Sequence, residues 1–152
     1  MKKIKLTQNK FALIDDEFYP SFLKFKWYYG EGYAKRNVWK PKHMVIRLHH
    51  LILPKKMGFD VDHINGNTLD NRRVNLRYVT RKQNLHNQGI RGDNTSGYKG
   101  VSKFREKFWR AYIVVDYKQI SLGIHNTKEE AAKAYNKAAK EFHGEYARLN
   151  KL

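Results

Sequence analysis

The chain has 152 residues, enough for one ordinary domain or two very small ones with modest cores. Its 31 Lys and Arg outnumber 14 Asp and Glu, and a formal charge of +17 opposes compaction unless a polyanion neutralises it, so nucleic acid is the first candidate partner. The absence of cysteine excludes a disulfide framework and a thiolate zinc site, and no spanning apolar run or basic helix with a broad apolar stripe argues for a membrane.

Residues 1–53 read as short strands, "KIKLTQ", "FALIDD", "FKWYYG", "GYAKRNVW" and "HMVIRLHHLIL", broken by Gly30, Gly32, Pro20, Pro41 and Pro54. Aromatic residues, Trp27, Trp39 and Trp109 with many Tyr and Phe, are expected to supply the cores, with Trp27 as an anchor. The opening "MKKIKLTQNK" has charge but no apolar h-region, as expected of a soluble intracellular protein. Next comes a polar run, "VDHINGNTLDNRRVNLRYVTRKQNLHN", whose end, Thr80 to Asn87, is predicted as a short helix capped by Thr80. Residues 89–97, rich in Gly and nearly free of apolar side chains, are predicted to be a flexible linker.

Beyond the linker, "YKGVSKF", "FWRAYIVVDY" and "KQISLGI" predict three strands, and "NTKEEAAKAYNKAAKEFHG" predicts a helix. Thr127 and Glu130 have capping-box spacing, Gly144 provides a stop, and Ala131, Ala134, Tyr135, Ala138 and Phe142 recur at helical period. Ala111, Ile113 and Val115 alternate with Arg110, Tyr112 and Val114, so a helix covering one face of the sheet leaves the second set outward. Lys99, Ser102, Lys103, Arg105, Lys107, Gln119 and Ser121 are expected to join that basic, aromatic face, whose shape and charge suit a major groove.

Within the polar run, Asp62 and His63 are adjacent, and at a strand end both can border one site. A carboxylate that binds a cation beside a neutral imidazole that takes a proton from water suits phosphodiester hydrolysis. Asn75 follows, and Asn84 on the predicted helix is placed to turn an amide oxygen toward Asp62. A calcium-loop reading of "DHINGNTLD" fails because the position for the terminal Glu is Arg73.

From "MVIRLHHLIL" through Asn87 the sequence resembles the HNH nuclease motif, in the branch found in phage and intron-encoded homing-type endonucleases; "KLTQNKFALID" resembles the N-terminal segment of those proteins. The resemblance implies a two-stranded hairpin and a helix around one divalent metal. It makes His63 the general base, Asp62 and Asn84 the metal ligands, and Asn75 the residue that holds the hairpin loop in shape. The last motif position is Asn84 rather than His, so both ligands offer oxygen, which suits Mg²⁺ or Mn²⁺ better than zinc or nickel. Arg72, Arg73, Arg77 and Arg81 are candidates for flanking phosphates. His49 and His50 stand where the family has His followed by a basic residue; a structural hydrogen bond is the favoured reading and phosphate contact the second. His43, His86, His125 and His143 show no ligand spacing and read as structural or surface residues.

"YKGV", "WRAYI", "LGIHNTKEEAAKAYNKAA" and "GEYARLN" resemble, in order, the APETALA2-type DNA-binding domain, whose three strands lie in the major groove. Lys99 keeps a basic residue, but Ser102, Phe104 and Ser121 stand where the plant pattern has Arg, Arg and Trp, so the plant target does not transfer. Lys99, Arg105, Arg110 and Tyr112 are the leading candidate contacts.

Together these readings predict an α+β chain. A β-rich segment of about 1–53 leads into a ββα-metal core of about 54–88, the two forming a nuclease domain over 1–88. After the linker, a three-stranded antiparallel sheet packs on one helix over 98–150. The expected activity is metal-dependent, site-directed cleavage of double-stranded DNA in the cytoplasm of a bacterial or phage-infected cell, by a monomer, or by a dimer if both strands are cut. The alternatives are a DNA-binding regulator with an inactive nuclease half and, on charge alone, an RNA-directed protein.

Overall fold

The structure is a computed structural model that describes residues 1–152. It is a mixed α/β chain in two compact units, Met1–Lys82 and Gln83–Leu152. The first contains β1 (Lys2–Lys5), β2 (Phe11–Ile14), a 3₁₀ turn (Asp16–Phe18), α1 (Tyr19–Leu23), β3 (Tyr28–Gly30), β4 (Tyr33–Val38), β5 (Met44–Arg47), α2 (His49–Ile52), β6 (Asp60–His63) and β7 (Leu76–Val79). A further helix, α3 (Arg81–Asn87), crosses the division, with its residues from Gln83 onward grouped with the second unit. That unit adds β8 (Val101–Phe104), β9 (Phe108–Val115), β10 (Lys118–His125) and α4 (Lys128–His143).

In the first unit, β1 and β2 form a hairpin that turns through Gln8 and Asn9, both at positive φ, a region that Asn tolerates better than most residues. Alternation then sends Ile4, Ala12 and Ile14 inward and Lys3 and Lys5 outward. These side chains meet Phe22, Trp27, Ala34, Leu48, Ile52, Leu53 and Leu76 in one core. Trp27 is buried there, its Nε1 donating to the Phe22 carbonyl at 2.9 Å, but the core is mainly aliphatic and Trp39, expected within it, is exposed.

The predicted strands of this segment are all shorter than expected, two of them most. "FKWYYG" is strand only over Tyr28–Gly30, and "HMVIRLHHLIL" is strand through Arg47 and then turns helical. The reason is the spacing of Leu48, Ile52 and Leu53: a helical turn delivers residues four apart to the same core, whereas a strand would send Leu48 and Leu53 to opposite faces. The turn is closed by Leu51 N donating to Leu48 O and Leu53 N to His49 O.

In the second unit, β10, β9 and β8 pair antiparallel in that order, and Ala111 and Ile113 point into the core under α4 as their alternation requires. The capping box of α4 is formed: Thr127 Oγ1 accepts from Glu130 N at 3.1 Å, and Glu130 Oε2 accepts from Thr127 N at 3.3 Å. The buried stripe differs at its far end from the predicted one. Ala132 and Ala139 join Ala131, Tyr135 and Ala138, while Phe142 is exposed and His143 is buried with Nε2 on the Val114 carbonyl at 3.0 Å. A backbone acceptor at the end of β9 favours the imidazole there over a phenyl ring.

Residues 94–97, the end of the stretch expected as a linker, form a bonded turn. Ser96 is buried and its hydroxyl donates to Val101 O at 2.9 Å, while the Asn94 amide donates to Tyr98 O at 3.0 Å.

Candidate active site

The polar run becomes β6, β7 and the loop between them, and its asparagines replace the backbone partners that so irregular a loop lacks. Asn75 is central. Its Nδ2 donates to the Asp70 carbonyl at 2.7 Å and to Asn65 Oδ1 at 3.0 Å, and its Oδ1 accepts from Asn65 N at 3.0 Å. Asn65 Nδ2 reaches Asp70 Oδ2, and the Arg72 guanidinium forks onto the same carboxylate at 2.7 and 2.6 Å. The loop is also sewn to β2: Leu13 N donates to Leu69 O, and Asn71 N to Leu13 O. Arg73 N donates to Asp15 Oδ2 at 2.6 Å.

This frame fixes the end of β6. His63, the last residue of the strand, is 4% exposed, with Nε2 3.2 Å from Asn71 Oδ1. An amide oxygen only accepts, so Nε2 carries the proton and the neutral ring keeps its lone pair at Nδ1. Burial holds its pKa below the usual histidine range, against the opposing effects of the Asn71 hydrogen bond and the Asp62 and Asp70 charges. Asp62, buried beside it in the strand, pairs across the hairpin with Arg77, whose Nε donates to Asp62 Oδ2 at 3.0 Å.

An aromatic cluster backs His63. The His49 ring meets it edge-on at 5.0 Å, His50 meets His49 at 4.2 Å, and Tyr33 lies against both His49 and His63. His49 was favoured as a hydrogen-bonding residue, yet the contacts that define its place are rings. Burial first, and then the charges of its neighbours, push His49 down to about 2 and His50 down to about 4, so both are neutral near pH 7.

The four arginines proposed for phosphates differ in setting. Arg72 and Arg77 are engaged by Asp70 and Asp62; Arg73 Nη1 donates to Leu76 O at 3.2 Å; Arg81 is exposed, 3.4 Å from Asp60. Asn84 stands on α3. Lys99 departs from the expected sheet face: its Nζ donates to His86 O at 2.6 Å and Gln88 O at 2.7 Å, holding the C-terminal end of α3, and burial pushes it down to about 8.

On the sheet of the second unit, cross-strand pairing places Ser102 opposite Arg110, Tyr112 opposite Ser121, and Val114 opposite Gln119, all on the face away from α4. Phe104 lies on that face, with the Arg105 and Arg110 guanidiniums 5.4 and 6.0 Å from its ring centre. Lys103 pairs with Trp109 and so has the opposite parity, and Lys107 is in the β8–β9 turn. The sequence reading missed the roles of Asn71, Tyr33 and Arg77 around the Asp62 and His63 pair. His63 ends β6 and Asn71 lies in the irregular loop beyond it, so no regular period links the two and no pattern announces the contact.

A buried neutral imidazole beside a carboxylate at the end of a hairpin is a set whose chemistry suits hydrolysis. Residues 40–86 match the family model described as HNH endonuclease. The chain is 35% identical over 150 residues to an uncharacterized HNH endonuclease of Acanthamoeba polyphaga mimivirus, covering 95% of this chain and 77% of that one. It is also 35% identical over 97 residues to Protein 3.8 of Escherichia phage T7, covering 63% of this chain and 79% of that one. The chain belongs to the HNH endonuclease family and is a nuclease. No helix is long and apolar enough to cross a membrane.

HNH nucleases generally use a divalent metal. No three His, Asp or Glu side chains of this chain converge as a cage. A hard cation held through one carboxylate, with water and substrate phosphate completing its shell, fits the carboxylate of Asp62.

Proposed function

We propose that the protein is a metal-dependent, site-directed DNA endonuclease of the homing type, which hydrolyses phosphodiester bonds of double-stranded DNA to leave 5′-phosphate and 3′-hydroxyl ends. The observation that carries this reading is the buried, neutral His63 oriented by Asn71 at the strand end next to Asp62. His63 takes the proton of the attacking water at Nδ1 while Asn71 holds the opposite edge of the ring. Asp62 and Asn84 would hold one Mg²⁺ or Mn²⁺, which supplies positive charge at the scissile phosphate and leaving oxygen. Arg77 keeps the Asp62 carboxylate in one orientation, and Asn75 keeps the loop that carries Asn71 in shape. The ββα-metal core spans about residues 54–88.

The second unit is the reader, similar to APETALA2-type domains in its blocks of sequence. Arg105, Arg110 and Tyr112 are its leading contacts, and Ser102, Gln119 and Ser121 complete the surface. One site per chain makes one nick, and a double-strand break takes two chains or two visits.

The test is a supercoiled-plasmid assay with Mg²⁺, Mn²⁺ or a chelator. Wild type is expected to give open-circle product only with metal, and His63→Ala is expected to lose about two to four powers of ten in rate. Metal-dependent nicking by His63→Ala at the wild-type rate would sink the mechanism. Binding without breakage by the wild type would make the protein a DNA-binding regulator.

A further inference from the structure

Beside the histidine cluster, the β3–β4–β5 sheet and the segment after it line a cleft of about 530 Å³. Its walls carry Lys35, Arg47, His50 and Lys55, with Glu31 as the acid among them. Lys35 and Arg47 are direct cross-strand partners on β4 and β5, so two cations share one face at neighbouring positions. Like charges so placed destabilise a sheet unless an anion sits between them. Lys35 is moreover only 6% exposed, and its partner is the exposed Glu31, which reaches back from the β3–β4 turn at 2.5 Å. The cleft connects to the chemistry through His50, which touches His49, which touches His63, in ring steps of 4.2 and 5.0 Å. At 3.4 Å of axial rise per nucleotide, those steps span about three nucleotides or fewer.

We propose that this cleft is a subsite for a backbone phosphate of the DNA strand being cut, a few nucleotides from the scissile bond. Arg47, Lys55 and His50 receive the phosphate, and Glu31 holds Lys35 until DNA displaces it. The proposal rests on the reading of the protein as a DNA endonuclease, and it adds the anchor that sets the register of the strand over His63.

The first arm measures binding of the full chain to a fluorescent non-specific duplex by anisotropy across a salt series, with chelator present so that nothing is cut. The variants are Arg47→Ala, Lys55→Ala, the double variant, and Glu31→Gln. Lys24→Ala and Glu17→Gln make the same charge changes elsewhere in the unit. The double variant should weaken binding roughly tenfold and make the slope of log affinity against log salt shallower by about 0.9, one phosphate contact. Glu31→Gln should tighten binding several-fold, whereas Glu17→Gln and Lys24→Ala should stay within about twofold of wild type. Equal effects from cleft and control substitutions, or an unchanged slope in the double variant, overturn the subsite.

A second arm replaces chloride by inorganic phosphate at equal ionic strength. Phosphate-selective loss of duplex binding, combined with an unchanged slope in the double variant, would mark a pocket for free anion and overturn the proposal. With metal present, the double variant should raise KM while keeping kcat within a few-fold, and a loss confined to kcat counts against it. A wild type that binds but never cuts refutes the nuclease reading alone, because the salt slopes are read without cleavage.

Discussion

Asn75 sets the shape of the loop that holds Asn71 against His63, and it does so with three side-chain hydrogen bonds in a buried position. Replacement by Ala removes all three bonds, to the Asp70 carbonyl, to Asn65 N and to Asn65 Oδ1, at about 1 kcal/mol each on average. Asn75→Ala should therefore lower the stability of the first unit by about 3 kcal/mol, read from the urea midpoint of Trp27 fluorescence, and nicking should fall with it. His49 makes a different kind of contribution. Its folded pKa is pushed down to about 2, while the unfolded chain takes up the proton near 6.5. A lowered histidine adds stability that is fully present above 6.5 and is lost as pH falls below that value, at about 1.4 kcal/mol per pH unit. Between pH 7.5 and 5.5 the wild type should lose stability, and His49→Phe, which keeps a ring but not the proton site, should remove about 1.4 kcal/mol of that loss. An unchanged pH dependence in the variant would show that His49 is protonated in the folded protein. The placement of Asp62 and His63 side by side at a strand end was legible in the sequence, because acid beside imidazole is a chemical pattern. Asn71, Tyr33 and Arg77 were not, because each reaches the site through a fold that brings distant positions together.

At the scale of elements, the residue just before β8 sits tight against α4 and β9. Gly100, at φ +71°, precedes β8, and a Cβ there would fall 2.0 Å from the Tyr135 ring and 2.5 Å from the Tyr112 carbonyl. The Tyr112 backbone cannot give way cheaply, since its N–H is bonded to Gly100 O at 2.8 Å. Gly100→Ala is expected to destabilise this unit by about 3 kcal/mol, whereas Thr127→Ala, which removes only a helix cap, should cost about 1 kcal/mol. Trp109 reports both in a denaturant titration, and an equal effect from the two would refute the close packing. Helix α4 and its sheet were legible because capping chemistry and alternation are local. The length of β5 was not, since α2 exists to deliver Leu48, Ile52 and Leu53 to a shared core. Lys99 was misplaced for a related reason: its partners are the carbonyls of His86 and Gln88, and backbone atoms leave no mark in a pattern of side chains.

For the whole molecule, the charge of +17 means that affinity for DNA is mostly electrostatic and carries little sequence information by itself. Discrimination must then come from a surface that meets base edges. The face formed by Ser102, Phe104, Arg110, Tyr112 and Ser121 is the one the proposed function assigns to that task. If the second unit reads sequence while the first cuts, a tether raises the local concentration of the cutting site only near chosen sequences. Chemistry and choice should then separate under mutation. In the full chain, Arg110→Ala with Tyr112→Ala should leave the total rate of nicking on a plasmid within a few-fold of wild type, since His63, Asp62 and their supports are untouched. The positions of the nicks should change: mapped by sequencing from the broken ends, wild-type breaks should gather at a small set of sequences, and those of the double variant should scatter. His63→Ala should keep the wild-type binding sites and make almost no breaks. If the Arg110 and Tyr112 variant nicked the same sequences as wild type, the sheet would not be the reader, and selection would have to lie within the nuclease unit.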